Sequence, residues 1–86
     1  MSEFENNLHP VAISQVMINF AAHQGVDRDT CLLGTGIGEQ DLQNGEALVT
    51  RAQEMRLVEN LMLALPGEAA LGFRLGLQYS LATFGI

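Results

Sequence analysis

Apolar residues recur every three or four positions along much of this chain, and no stretch shows strict alternation. Ile13, Val16, Met17, Phe20 and Ala21 form one such stripe, which is the spacing of one helix face. Pro10 suits the first turn ahead of it, where a missing N–H costs little, and Gly25 suits the position just past its end. The pattern predicts a helix over residues 10–24. Asp27 is a good N-cap for a short helix over 28–33, which Gly34 stops. Thr50-Arg51-Ala52-Gln53 reads as a capping box, a hydroxyl with an amide three residues on. The helix behind it carries Ala52, Met55, Val58, Leu61, Met62 and Leu65 on one stripe, flanked by Leu57 and Leu63. Pro66-Gly67 ends it. A further helix is expected over 68–77, with Glu68 in its first turn, where the helix dipole favours an acid.

These elements predict an all-α fold, a small helical bundle of about four helices. Residues 1–9 read as a disordered, polar lead-in, and 10–86 as the helical part. Leu81, Phe84 and Ile86 are apolar up to the last residue, whereas domains tend to finish in polar, frayed residues. The expectation is a fragment of a larger domain. Gly72 and Gly76 are one turn apart, as are Leu71 and Leu75. The glycine pair reads first as a packing notch.

The stretch "LLGTGIGEQDL" over residues 32–42 is the most conspicuous candidate for chemistry. A dinucleotide loop needs Gly-x-Gly-x-x-Gly between a buried strand and a long helix. Here the glycines Gly34, Gly36 and Gly38 are spaced by two, a short capped helix precedes them, and Glu39 and Asp41 follow. The acids would repel a phosphate. A nucleotide-binding loop of the Gly-Lys-Ser/Thr kind needs a lysine, and the chain has none. The loop instead reads as a tight reversal, with Gly34 and Gly36 supplying left-handed backbone angles and Ile37 dropping between the neighbouring helices as a plug.

Charge removes further classes. Ten Asp and Glu oppose four Arg, for a net charge of −6. Nucleic acids and anionic membrane surfaces attract clustered cations, so these residues are not expected to bind either. The single cysteine, Cys31, allows no internal disulfide, which fits a cytoplasmic location. No signal peptide or membrane span is visible. His9, His23 and Cys31 do not have the paired spacing of a zinc site. Ser14 and Thr35 have no evident Asp–His partnership. Neither a metal, a cofactor nor an enzyme activity is expected.

The order of segments is more telling than any one of them. A helix runs into "HQGVDRDTCLLGTGI", then "EQDLQNGEALV", then the capped helix "TRAQEMRLVENLMLAL", then "PGEAALGFRLG", and finally "YSLATFGI". This series resembles the N-terminal regulatory, arabinose-binding-like domain of AraC-type bacterial transcription regulators. The matching positions in the first half are Leu32, Leu33, Gly34, Thr35, Gly36, Ile37, Asp41 and Leu42. In the second half they are Leu71, Gly72, Arg74, Leu75, Gly76, Phe84 and Gly85. The resemblance covers about residues 12–86. The two motifs "GTGI" and "LGFRLG" are each weak, and their order and separation carry it.

The resemblance implies a part that senses a small-molecule effector or mediates dimer contacts. It would bias DNA binding by a C-terminal helix-turn-helix domain not present in these residues. No motif position here fixes an effector, so the resemblance carries over no effector-binding residue. A free-standing helical interaction module is the alternative. Leu71, Leu75, Leu81, Phe84 and Ile86 are the candidate inter-chain surface of a homo-oligomer, a dimer; the same residues could instead close the core of one chain. Two observations would count against the family: a chain that ends naturally at Ile86, and a sheet in the structure.

Overall fold

The structure, a computed structural model, describes residues 8–83, with side chains through Leu77. Its elements run β1 (Leu8–Pro10), α1 (Val11–His23), α2 (Arg28–Leu32), α3 (Glu39–Gln43), β2 (Leu48–Thr50), α4 (Arg51–Ala64) and α5 (Gly67–Thr83). The expected helices are all present, five among the described residues. The last is longer than expected, and Asp41-Leu42 belongs to α3.

The all-α expectation is corrected by a two-stranded antiparallel ribbon. Leu8 pairs with Thr50, His9 with Val49 and Pro10 with Leu48. Each strand has three residues, too few to display a period of two, and one ends in proline. Long-range closure holds the ribbon in place. The Val11 N–H donates to Ala47 O at 3.0 Å, and His9 Nδ1 lies 2.6 Å from Glu54 Oε1 on α4. The strand therefore reaches into the expected lead-in, since Leu8 and His9 are paired; residues 1–7 lie outside the described residues.

Caps explain the helix starts. Asp27 accepts the Thr30 N–H at 2.9 Å. Thr50 and Gln53 exchange bonds of 2.8 and 3.1 Å, satisfying two amides that have no partner within the helix. Gly25 has φ +87°, closing α1.

Two apolar clusters form the core. The larger joins Met17, Ile18 and Ala21 of α1, Cys31 of α2, Leu57 and Leu61 of α4, Leu65, and Phe73 of α5. The smaller joins Val11, Ile37 and Val49 under the ribbon. Ile37 is indeed a plug, but it fills the space between α1 and a strand. On α1 the residues fully in the core are Val11, Ser14, Met17, Ile18 and Ala21. Of the predicted stripe, Met17 and Ala21 are in this core, Ile13 and Phe20 are half-buried against it, and Val16 is exposed on the adjoining face. On α4 the centre is Leu57 and Leu61, with Leu65 just past its end, while Met55 and Leu63 are exposed.

Candidate functional site

Two places could carry function: the glycine loop and a cleft between α1 and α5. The loop is built from the residues upward. Gly34 and Gly36 have φ of +73° and +75°, the left-handed region that L residues rarely enter. Between them Thr35 is buried. Its hydroxyl donates to Leu32 O at 2.8 Å and accepts the Ile37 N–H at 3.0 Å. The Thr35 N–H also bonds Leu32 O, at 3.0 Å, and the Gly38 N–H bonds Asp41 Oδ2 at 2.9 Å. Three loop amides are thus committed internally, so they do not form the cradle of free N–H groups that holds a phosphate.

The polar side of α4 braces this loop. Asn60 Nδ2 donates to Cys31 O and to Leu33 O, each at 2.7 Å, satisfying two carbonyls at the end of α2. The Arg56 guanidinium covers Gly34 so closely that an added Cβ would lie 3.1 Å from Nη2. Gln53 stands near Gly36 in the same way, at 3.4 Å. Gln53, Arg56 and Asn60 recur at three and four, one helix face. The acids after the loop also serve local structure, since Glu39 pairs with Arg28 at 3.0 Å. The loop is a braced turn.

Titratable groups here do not suggest catalysis. Hydrogen bonds from Thr30, side chain first and backbone second, hold the Asp27 carboxyl below its usual value. Burial, aided by the nearby Asp27 charge, pushes the Cys31 thiol up, opposite to what a nucleophilic cysteine needs. Ser14 Oγ is buried with no described partner. Among the described residues no three His, Cys, Asp or Glu side chains gather as a metal site. No helix among them is long and apolar enough to cross a membrane.

The cleft has a volume of about 420 Å3. Its α1 wall is Ile13, Val16, Met17 and Phe20, four of the five residues of the stripe read from the sequence. Its α5 wall is Gly72, Phe73, Gly76 and Leu77. The Phe20 and Phe73 rings stack at 5.9 Å between centroids, with planes 20° apart. Helix α1 is therefore apolar on two sides, one in the core and one on the cleft, where Val16 is 67% exposed. A Cβ built at Gly72 or Gly76 meets nothing within 4 Å. Among the described residues the notch expected there is open, with no second backbone against it.

Of the five residues expected at an inter-chain surface, Leu71 and Leu75 lie exposed on α5, beside the glycines. The Leu81 side chain, Phe84 and Ile86 lie outside the described residues. Sequence reasoning passed over Asn60 and Arg56 because they sit off the apolar stripe; their spacing of four on a helix facing a glycine turn was the available signal.

Comparison with known proteins agrees with the order of motifs. An uncharacterized HTH-type transcriptional regulator of Mycobacterium bovis is 33% identical over 78 residues, which is 91% of this chain and 23% of that protein. A counterpart in Mycobacterium tuberculosis, likewise an uncharacterized HTH-type transcriptional regulator, matches to the same extent. The chain thus spans about a quarter of the length of these relatives. No solved structure matches it. The arabinose-binding domain of AraC transcription regulators, N-terminal part, matches residues 25–86. That span includes β2, so the requirement that the fold hold no sheet was misplaced. With "GTGI" braced as a turn and "LGFRLG" forming one wall of a cleft, the chain belongs to the family of N-terminal arabinose-binding domains of AraC transcription regulators.

Proposed function

We propose that this chain is the effector-sensing part of an AraC-type transcription regulator, and that the effector occupies the α1–α5 cleft. The observation that carries this is the cleft itself: a concave, apolar site of about 420 Å3, within the usual range of small-molecule sites. Its walls belong to two elements, and α5 touches the core through Phe73, with Ala69, Ala70 and Leu77 half-buried beside it. A ligand that binds one placement of α5 better than another shifts the population toward it. DNA contact falls to a helix-turn-helix domain of the kind named in the relatives, which suits a chain with ten acids and four arginines. Such a regulator works in the cytoplasm.

Dimerisation is the second reading, favoured by the exposed Leu71 and Leu75. Thermal unfolding of the 86-residue chain against a panel of metabolites, with sedimentation in parallel, separates the two. Ligand at a hundred times its dissociation constant adds about 2.7 kcal/mol, a rise of several degrees. The sensing reading expects such a rise from at least one metabolite, lost in Gly72→Leu. No rise from any metabolite, with a dimer that Leu71→Asp dissociates, would replace sensing by dimerisation.

A further inference from the structure

The family is described by its binding of a sugar, yet the α1–α5 cleft is not built for one. We infer that it takes an uncharged, largely apolar molecule containing a flat ring, and that it rejects arabinose. This rests on the effector-sensing reading of the same cleft.

All of the side chains on its walls are hydrocarbon or thioether; the rest is glycine. Backbone groups in the middle of α1 and α5 are occupied by their own helical ladders. A pentose entering here would leave hydroxyls stripped of water with nothing to bond. Each one lowers affinity by about tenfold or more. A charged metabolite does worse, since among the described residues no arginine lines the cleft to pair with an anion and no acid to pair with a cation.

The shape narrows the class further. The α5 wall runs from Gly72 to Leu77 and the α1 wall from Ile13 to Phe20. At 1.5 Å per residue those walls are about 8 and 10 Å long. A docked helix presents anchors over at least two turns at i, i+3, i+4 and i+7, which fills the full length of the α1 wall and overruns the α5 wall. A ring system or a short chain fits within both. Phe20, half-buried and stacked 20° from parallel on the buried Phe73, offers an aromatic wall to a flat ring. On the same α5 wall as Phe73, Gly72 and Gly76 bare the backbone over one turn, with nothing within 4 Å of either built Cβ. Both glycines disfavour the helix they sit in, and no described side chain uses the space they leave. A ligand lying against that strip would use it.

The test is fluorescence titration of the 86-residue chain with N-phenyl-1-naphthylamine, an uncharged aromatic probe, with L-arabinose as competitor. Gly72→Leu and Gly76→Leu fill the cleft from α5 while raising helix propensity, so a loss of binding is not a loss of fold. The expected result is saturable probe binding that each variant weakens by about tenfold or more, with no displacement by millimolar arabinose. Displacement by arabinose overturns the inference, as does probe binding that neither variant changes. A Gly72→Leu-sensitive response to a polar metabolite alone overturns the ligand class and leaves sensing standing. A chain that dimerises, and whose dimer Gly72→Leu breaks, assigns the cleft to a second copy and overturns the inference.

Discussion

Replacing Asn60 by alanine tests how the glycine turn is held. The amide donates to Cys31 O and Leu33 O at 2.7 Å each. Cys31 is fully buried, so water cannot easily replace the first bond; the second is exposed and counts for less. Taking about 1–1.5 kcal/mol for the first and about 0.5 for the second, the loss is about 1.5–2 kcal/mol. In a chain of this size that lowers the unfolding midpoint by about 6–15 °C. Asn60→Asp keeps the shape but sets a carboxylate against two carbonyl oxygens, and should cost at least as much. Glu59→Ala, on the exposed side of the same helix, should stay within about 0.5 kcal/mol of the parent. Urea unfolding followed by far-ultraviolet circular dichroism measures all three, with the slope unchanged if only stability moves. The bracing argument fails if Asn60→Ala unfolds within about 0.5 kcal/mol of the parent, or if Asn60→Asp is as stable as asparagine.

Four further outcomes follow from the same structure. Gly34→Ala places a Cβ at φ +73° and 3.1 Å from Arg56; it should cost about 1–2 kcal/mol in the same urea assay. Gly72→Ala, in open space within α5, should stabilise by about 0.5–1 kcal/mol, read as a higher thermal midpoint. The Asp27 carboxyl titrates below its usual 3.8 in the folded chain. Its contribution is therefore complete above that value and lost as pH falls through the lower, folded one. Parent and Asp27→Asn stabilities should converge in that acid range and diverge above it. Cys31, buried and with its thiol pushed up, should react with an aromatic disulfide reagent far more slowly in buffer than in denaturant.

How far the fold was legible depended on whether a signal was local. Asp27, Thr50 with Gln53, Gly25 and Pro66 mark helix ends within four residues of themselves, and the helices start and stop there. Gly34 and Gly36 likewise announced a turn of positive φ. The ribbon was not legible, because its three-residue strands are paired across forty residues and carry no alternation. The core of α1 was read in part, since Met17 and Ala21 of the predicted stripe are buried in it. Ile13, Val16 and Phe20 are the more conspicuous hydrophobes, and the fold sets them around the cleft while Ser14 and Ile18 turn inward. A single sequence shows that a face is apolar but not which neighbour it meets. The braces from Asn60 and Arg56 to the turn join residues more than twenty positions apart, which no local pattern records.

The motifs "GTGI" and "LGFRLG", both within the span that matches the family, now have a physical reading. The first is a turn that needs two glycines for its angles and a threonine hydroxyl to tie Leu32 to Ile37. The second lays Gly72 and Gly76 along one wall of the cleft and seats Phe73 against Phe20. A regulatory domain needs a rigid part and a part that responds. In the proposed reading the braced turn on α4 takes the former role, and α5, which meets the core through Phe73 with Ala69, Ala70 and Leu77 beside it, takes the latter.

Methyl-resolved NMR of the chain during titration with the uncharged aromatic probe tests the central claim most directly. The account predicts saturable shifts at the methyls of Ile13, Val16, Met17 and Leu77, all four on the cleft, with those of Val11, Ile37 and Val49 under the ribbon unmoved. Shifts confined to Leu71 and Leu75, growing with protein concentration and indifferent to the probe, would contradict it.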